Sequence, residues 1–353
     1  MKKRAIQILC LSIIVLLSAT ACSKKEESGV NTAQEPVKFK VGLVVDTGSI
    51  NDKGFNENAW NGLLAAKQEY DIEAKYLESK AVADFEKNII AMIREECDLI
   101  VTVGFMLGDA TKSAAEQYPE QNFAIVDYAY NPVLPNVMGI VFQTQQAAML
   151  GGYLSAGMSE SGKIGTFGGQ DIPTVWDWID GLAAGINYFN EVNGASVELL
   201  GADPVNKTGA FVGDWTDKDK GKQLALNEIQ EGADVIIPIA GPAGFGAFAA
   251  AQEMNVFAMG GDVDQSIAKP EYSDILISSM LKRVDNGVKS VVKMAIDGDF
   301  KGGLYVGELS NDGVGLASFH DFEDQVSDKL KSELETLYSD IVAGKVDVAK
   351  YIY

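Results

Sequence analysis

Short apolar runs recur along this chain, and each is followed by a stretch whose apolar residues return at helical spacing. Residues 41–45, 99–103, 123–126, 164–167, 235–237 and 256–259 read as strands, apolar enough to be covered on both faces. Helices are expected over 55–70, 84–95, 107–116, 174–190, 218–230 and 246–253. Repeated βα alternation of this kind predicts parallel sheets with helices on both sides. The chain is too long for one compact core, so the fold class expected is α/β with two doubly wound parallel-sheet lobes. Further strands over 137–142 and 275–280 and helices over 144–158 and 281–297 place the lobes at 38–142 plus 278–303 and at 143–277 plus 304–353. Several crossings between lobes would form a multi-strand hinge, and ligand clefts form preferentially at such junctions.

The start of the chain has a different character. Lys2, Lys3 and Arg4 precede an apolar stretch over 5–17 and a small-residue run ending at Cys22. That pattern fits an export signal, with a middle too short for a comfortable membrane span. Residues 17–22 resemble a bacterial lipoprotein cleavage box, with Ala19 where leucine is more usual. The box implies that Cys22 becomes a lipidated first residue; ordinary secretion is the alternative. Residues 23–37 are polar and aperiodic and read as a flexible tether.

Composition narrows the chemistry. A net charge of −21, more negative still once the basic leader is lost, argues against nucleic acid or an anionic membrane surface as partner. Of three cysteines, Cys10 lies in the leader and Cys22 at the cleavage site, so Cys97 is the one thiol left. Flanking carboxylates would disfavour its thiolate, and it reads as structural. His320 is the only histidine, which excludes a histidine-based metal cluster. A Ser-His-Asp arrangement using it remains formally open, with a structural loop histidine the alternative.

The stretch over 41–60 carries the densest chemistry. An apolar strand ends in Asp46, Gly48 frees the turn, and Asn51 or Asp52 can cap the helix that begins at Phe55. Ligands of open α/β sheets collect at the carboxyl ends of strands, where Asp46, Phe55 and Asn56 would then lie. A carboxylate only accepts hydrogen bonds while an amide both donates and accepts, so Asp46 and Asn56 together can read the edge of a heterocycle, with Phe55 on its face. Turn chemistry, capping and core packing are the alternatives. Asp127 follows another strand in the position that Asp46 occupies two units earlier. Asp262 follows two glycines, which let backbone approach a ligand, and its carboxylate suits a pair of vicinal hydroxyls. Lys282 would share those hydroxyls, or else merely pair with Asp262 to join the lobes.

The segments 46–56, 103–106, 168–171, 217–222, 260–265 and 279–283 together resemble the basic membrane protein family, also known as PnrA-like lipoproteins. They stand in the family's order and span nearly the whole body. The resemblance implies a type I periplasmic-binding-protein fold and a monomeric, extracytoplasmic substrate-binding lipoprotein, lipid-anchored at a bacterial cell membrane. Its partners would be an ABC permease and a neutral nucleoside, commonly a purine nucleoside. It also implies that Asp262 and Lys282 hold ribose, that no cofactor is carried and that the protein is not an enzyme. Two departures stand out. The turn 240–246 has Pro242 and Ala243 where the family has glycine and threonine, leaving Gly244 as the expected contact. The strand ahead of it, 236–239, lacks the second stacking aromatic usual in the family, and Trp178, where the family has a cleft-facing phenylalanine, is the candidate to replace that ring. With three acids against Lys282, a phosphate would be repelled. Another flat heterocycle such as riboflavin, a surface adhesin or sensor, and a nucleosidase are the alternatives.

Overall fold

The structure is a computed structural model, and it describes residues 38–353; the leader, Cys22 and the tether lie outside the described residues. Strands β1 (Lys40–Val45), β2 (Glu73–Glu78), β3 (Leu99–Val103), β4 (Asn122–Val126) and β5 (Val137–Phe142) alternate with helices α1 (Phe55–Tyr70), α2 (Phe85–Arg94) and α3 (Gly108–Gln117). The chain then continues through α4 (Thr144–Met158), β6 (Lys163–Gly168), α5 (Pro173–Asn193), β7 (Glu198–Leu200) and a two-strand hairpin of β8 (Ala202–Asp203) and β9 (Thr208–Gly209). There follow α6 (Lys218–Gln230), β10 (Val235–Ile239), α7 (Gly244–Met254), β11 (Phe257–Asp262), the single turn α8 (Gln265–Ala268) and β12 (Leu276–Lys282). The last elements are α9 (Val284–Ile296), β13 (Gly303–Gly307), β14 (Val314–Leu316) and α10 (Asp328–Val342).

These strands form two six-stranded sheets, ordered β13-β5-β4-β3-β1-β2 and β14-β12-β11-β10-β6-β7. All pairings in both are parallel except β12 with β14. The chain passes between sheets after Phe142, after Lys282 and after Gly307. Sheet membership differs from the expected division at two strands. β12 belongs to the second sheet, because it pairs with β11, whereas β13 closes the edge of the first by pairing with β5. Only α9, between them, sits with the first lobe, where the backbone of Asp285 presses on Gly62 of α1.

Side-chain alternation explains why the runs are apolar throughout. Val41, Leu43 and Val45 of β1 enter one core, shared with α1, α9, α4 and α5. Val44 faces the other way, into a cluster with Phe85, Ile89 and Met92 of α2. Both faces of the strand are thus dry, as parallel sheets require. Cys97 belongs to that second cluster and is 3 % exposed. Burial is the main reason its thiol is pushed up to about 11, while Lys40 and Lys75 partly oppose it, so the neighbouring acids are a minor cause. Among the described residues no helix is long and apolar enough to cross a membrane.

Candidate functional site

The first sheet holds Asp46 at the end of β1 by what its neighbours lack. Gly104, just past β3, has φ +115°, and a Cβ there would stand 2.5 Å from the Asp46 carboxylate. A Cβ on Gly48 would stand 2.4 Å from the Asn56 side-chain nitrogen. Gly48 is therefore needed for room, not for a left-handed turn. Asp52, not Asn51, starts α1: its carboxylate accepts the backbone N–H groups of Gly54, Asn56 and Glu57. Asn56 is relieved of capping, and its Nδ2 donates to Asp46 at 3.5 Å while its buried Oδ1 has no protein donor. Asp46 is 7 % exposed, and burial pushes its carboxyl up to about 7, with the like charges of Asp52 and Asp127 adding and Asn56 opposing.

Two more carboxylates close the floor. Asp127, after β4, and Asp262, at the end of β11, both adopt left-handed backbone, with φ 68° and 65°. The lysine pairs differently from expectation. Lys282, 3 % exposed at the end of β12, reaches across to Asp127 at 2.5 Å, and no ion pair joins it to Asp262. Asp262 keeps its oxygens for the cavity, and burial pushes it up to about 6 against the pull of Lys282. Its loop is braced by Gln265, whose backbone N–H donates to Ser279 and whose side-chain amide donates to the carbonyls of Gly261 and Lys53. Asn58 of α1 likewise donates to the Lys282 carbonyl at 2.9 Å. Both side chains therefore tie one lobe to the other.

All eight residues expected at a ligand site line one cavity of about 730 Å³: Asp46, Phe55, Asn56, Asp127, Trp178, Gly244, Asp262 and Lys282. The Phe55 ring lies 4.9 Å from the Lys282 ammonium, a cation–π distance. Trp178 is 5 % exposed and sits between core and cavity, whereas Trp176 turns away to donate its Nε1 to Asp171. The β10–β11 ladder stops at Ile236, so Pro238 lies where the strands have parted and forfeits no bond on that side. Gly244 has ordinary helical backbone, and a Cβ there would come within 3.1 Å of Pro238.

Sequence reasoning missed several lining residues. Trp215 lies against Gly169 and Gly241, with an indole N–H that is buried and has no protein acceptor. A tryptophan standing alone in the polar run 213–217 was the available signal. Phe105, Phe245 and Gln265 also line the cavity, as do Lys53, Lys80, Lys218 and Lys269. Lys282 is thus not the only cation present. Lys53 and Lys269 are paired with Glu57 and Glu271, and Lys218 lies over the Phe245 ring. His320 meets Asp264 at 2.7 Å and Ser318 at 3.2 Å through the same Nε2. A relay needs the acid and the hydroxyl on opposite ring nitrogens, so this trio is not arranged as a triad.

The profile of a family described as ABC transporter substrate-binding protein PnrA-like, Bmp, matches residues 39–350. The chain belongs to this family. It is 34 % identical to an uncharacterized lipoprotein of Pyrococcus abyssi, over 87 % of this chain and 76 % of that one. It is 27 % identical to an ABC transporter nucleoside-binding protein of Lactococcus lactis, covering 99 % of both chains. A crystal structure of an ABC transporter solute-binding protein from Aeropyrum pernix superposes with a TM-score of 0.79 at 27 % identity, over 87 % of this chain and 92 % of that one. The fold is that of type I periplasmic-binding proteins, as the sequence motifs implied. As a Bmp protein the chain is the substrate-binding component of an ABC transporter, which implies a small-molecule ligand and a membrane permease as partners.

Proposed function

We propose that this Bmp protein captures a neutral nucleoside, a purine nucleoside in the simplest case, for import through its permease. The observation that carries the reading is the gathering of Asp46, Phe55, Asn56, Asp262 and Lys282 around one cavity. The Asp46–Asn56 pair offers an acceptor and an unpaired amide oxygen, which suits the edge of a base, and the Phe55 ring lining the same cavity suits its face. Asp262 and Lys282 offer an acceptor and a donor to vicinal hydroxyls. Trp178 and Trp215 supply the apolar wall that Pro238 cannot. The deep floor carries Asp46, Asp127 and Asp262 against Lys282, which disfavours a phosphate there. Similarity to proteins named lipoproteins supports the anchor at Cys22 and an extracytoplasmic location. Similarity to proteins named nucleoside-binding and solute-binding supports capture rather than turnover.

Calorimetry with a panel of purine and pyrimidine nucleosides, their 5′-monophosphates and riboflavin tests this reading. Saturable binding of a nucleoside, recovered unchanged, with weaker binding of its monophosphate is expected. Preference for riboflavin or for the monophosphate would overturn the assignment of the ligand, and conversion of the ligand would overturn capture.

A further inference from the structure

Behind the Asp127–Lys282 pair lies a second cavity of about 310 Å³. Lys282 marks the partition. Its ammonium stands 4.9 Å from the centre of the Phe55 ring, which lines only the main cavity, and 5.5 Å from that of Phe142, which lines only the second. The second cavity therefore begins where the sugar end of a nucleoside held by Asp262 and Lys282 would finish.

Its charge is unbalanced. Asp127 is committed to Lys282, while Asp177 of α5, which also lines this space, has no cation within ion-pair distance among the described residues. One Asp177 oxygen accepts from the Gln145 amide at 2.7 Å, and the neighbouring acid Asp180 is paired with Lys207. Burial, reinforced by Asp180 and Asp127 and opposed by Lys282 and Lys207, pushes Asp177 up to about 6. The N-terminus of α5 offers an anion one backbone donor, that of Thr174: Pro173 has no N–H, and the amides of Val175 and Trp176 already donate to the Ile172 carbonyl. A cation is the charge this space favours.

We propose that the second cavity receives a positively charged substituent, a primary amine carried on the sugar end of the ligand, with Asp177 as its counter-ion. The proposal rests on the nucleoside reading of the main cavity. The test is calorimetry at neutral pH with adenosine or guanosine, whichever the panel retains, beside its 5′-amino-5′-deoxy derivative. The amine is expected to bind about tenfold tighter, the worth of one charge-assisted hydrogen bond. Asp177→Asn, which keeps the Gln145 bond, should erase that preference and leave the parent nucleoside's affinity unchanged. Equal binding of the two by the native protein, or a preference that survives Asp177→Asn, overturns this proposal alone. Failure of every nucleoside of the panel to bind overturns the nucleoside reading, and this one with it.

Discussion

The two sheets repeat one strand order, yet they solve the same local problems with different residues. β1 and β6 hold matching places and carry Gly42 and Gly165 in matching positions. A Cβ on Gly42 would touch the thioether of Met92 on α2, and one on Gly165 would touch the carboxylate of Glu228 on α6. The first lobe fills the gap with an apolar side chain; the second fills it with an acid that is 5 % exposed and has no hydrogen-bond partner on either oxygen. At the strand ends the contrast reverses. β1 is followed by Asp46, while β6 runs into Gly169, where a Cβ would strike Trp215. At this pair of strands polar chemistry is thus placed at the end of one and beneath the other. The scaffold sets where side chains meet a ligand and leaves their character free.

The largest effect is expected at the one strand end that is acidic but unpaired. Asp262→Ala should weaken nucleoside binding about a thousandfold, ~4 kcal/mol, through loss of two charge-assisted hydrogen bonds to hydroxyls. Its melting temperature should be preserved, and calorimetry beside a thermal melt checks both. Unchanged affinity would remove Asp262 from the site.

Next is a transplant of the first lobe's solution into the second. Burial pushes Glu228 up to about 9, so the folded protein keeps its proton where the unfolded chain has lost it. The folded state therefore binds more protons, and stability falls as pH rises from the unfolded value near 4.5 toward about 9. Glu228→Met should relieve this, adding on the order of 3 kcal/mol at neutral pH and little in acid. Urea unfolding at both pH values measures it, and an equal effect at the two would mean that the carboxyl is not held neutral.

The smallest effect concerns Asp46, whose carboxyl is pushed up to about 7. A ligand N–H is accepted by the ionised form, so binding should release a proton and affinity should rise with pH until it levels off above that value. Asp46→Asn should cost about tenfold at pH near 8 and flatten the profile below it. A pH series of titrations decides the matter.

How much of this was legible follows the same physics. Asp46, Asp127 and Asp262 could be found because each ends an apolar run, and strand ends are where such folds meet ligands. The edge strand β2 escaped because Glu73, Lys75 and Glu78 break up any apolar run and leave it half-exposed. The helix α10 escaped although Leu330, Leu334, Leu337 and Ile341 keep helical spacing, so the signal was present and went unused. The partner of Lys282 could not be read at all. Which acid a lysine meets depends on how two sheets face each other, and that relation leaves no mark on local spacing. Trp215 was hidden for a similar reason, because it comes from a loop that returns to the cavity only in three dimensions.

The Gln265 side chain holds the Gly261 carbonyl and the Lys53 carbonyl with the same amide nitrogen. One carbonyl precedes Asp262 and the other belongs to the opposite lobe, so drawing the lobes apart would also slacken the grip of that acid on its cargo. The set of the Asp262 loop and the closure of the lobes are thereby yoked through a single nitrogen, so that, on the proposed function, a permease that pried the jaws open would loosen the passenger in the same stroke.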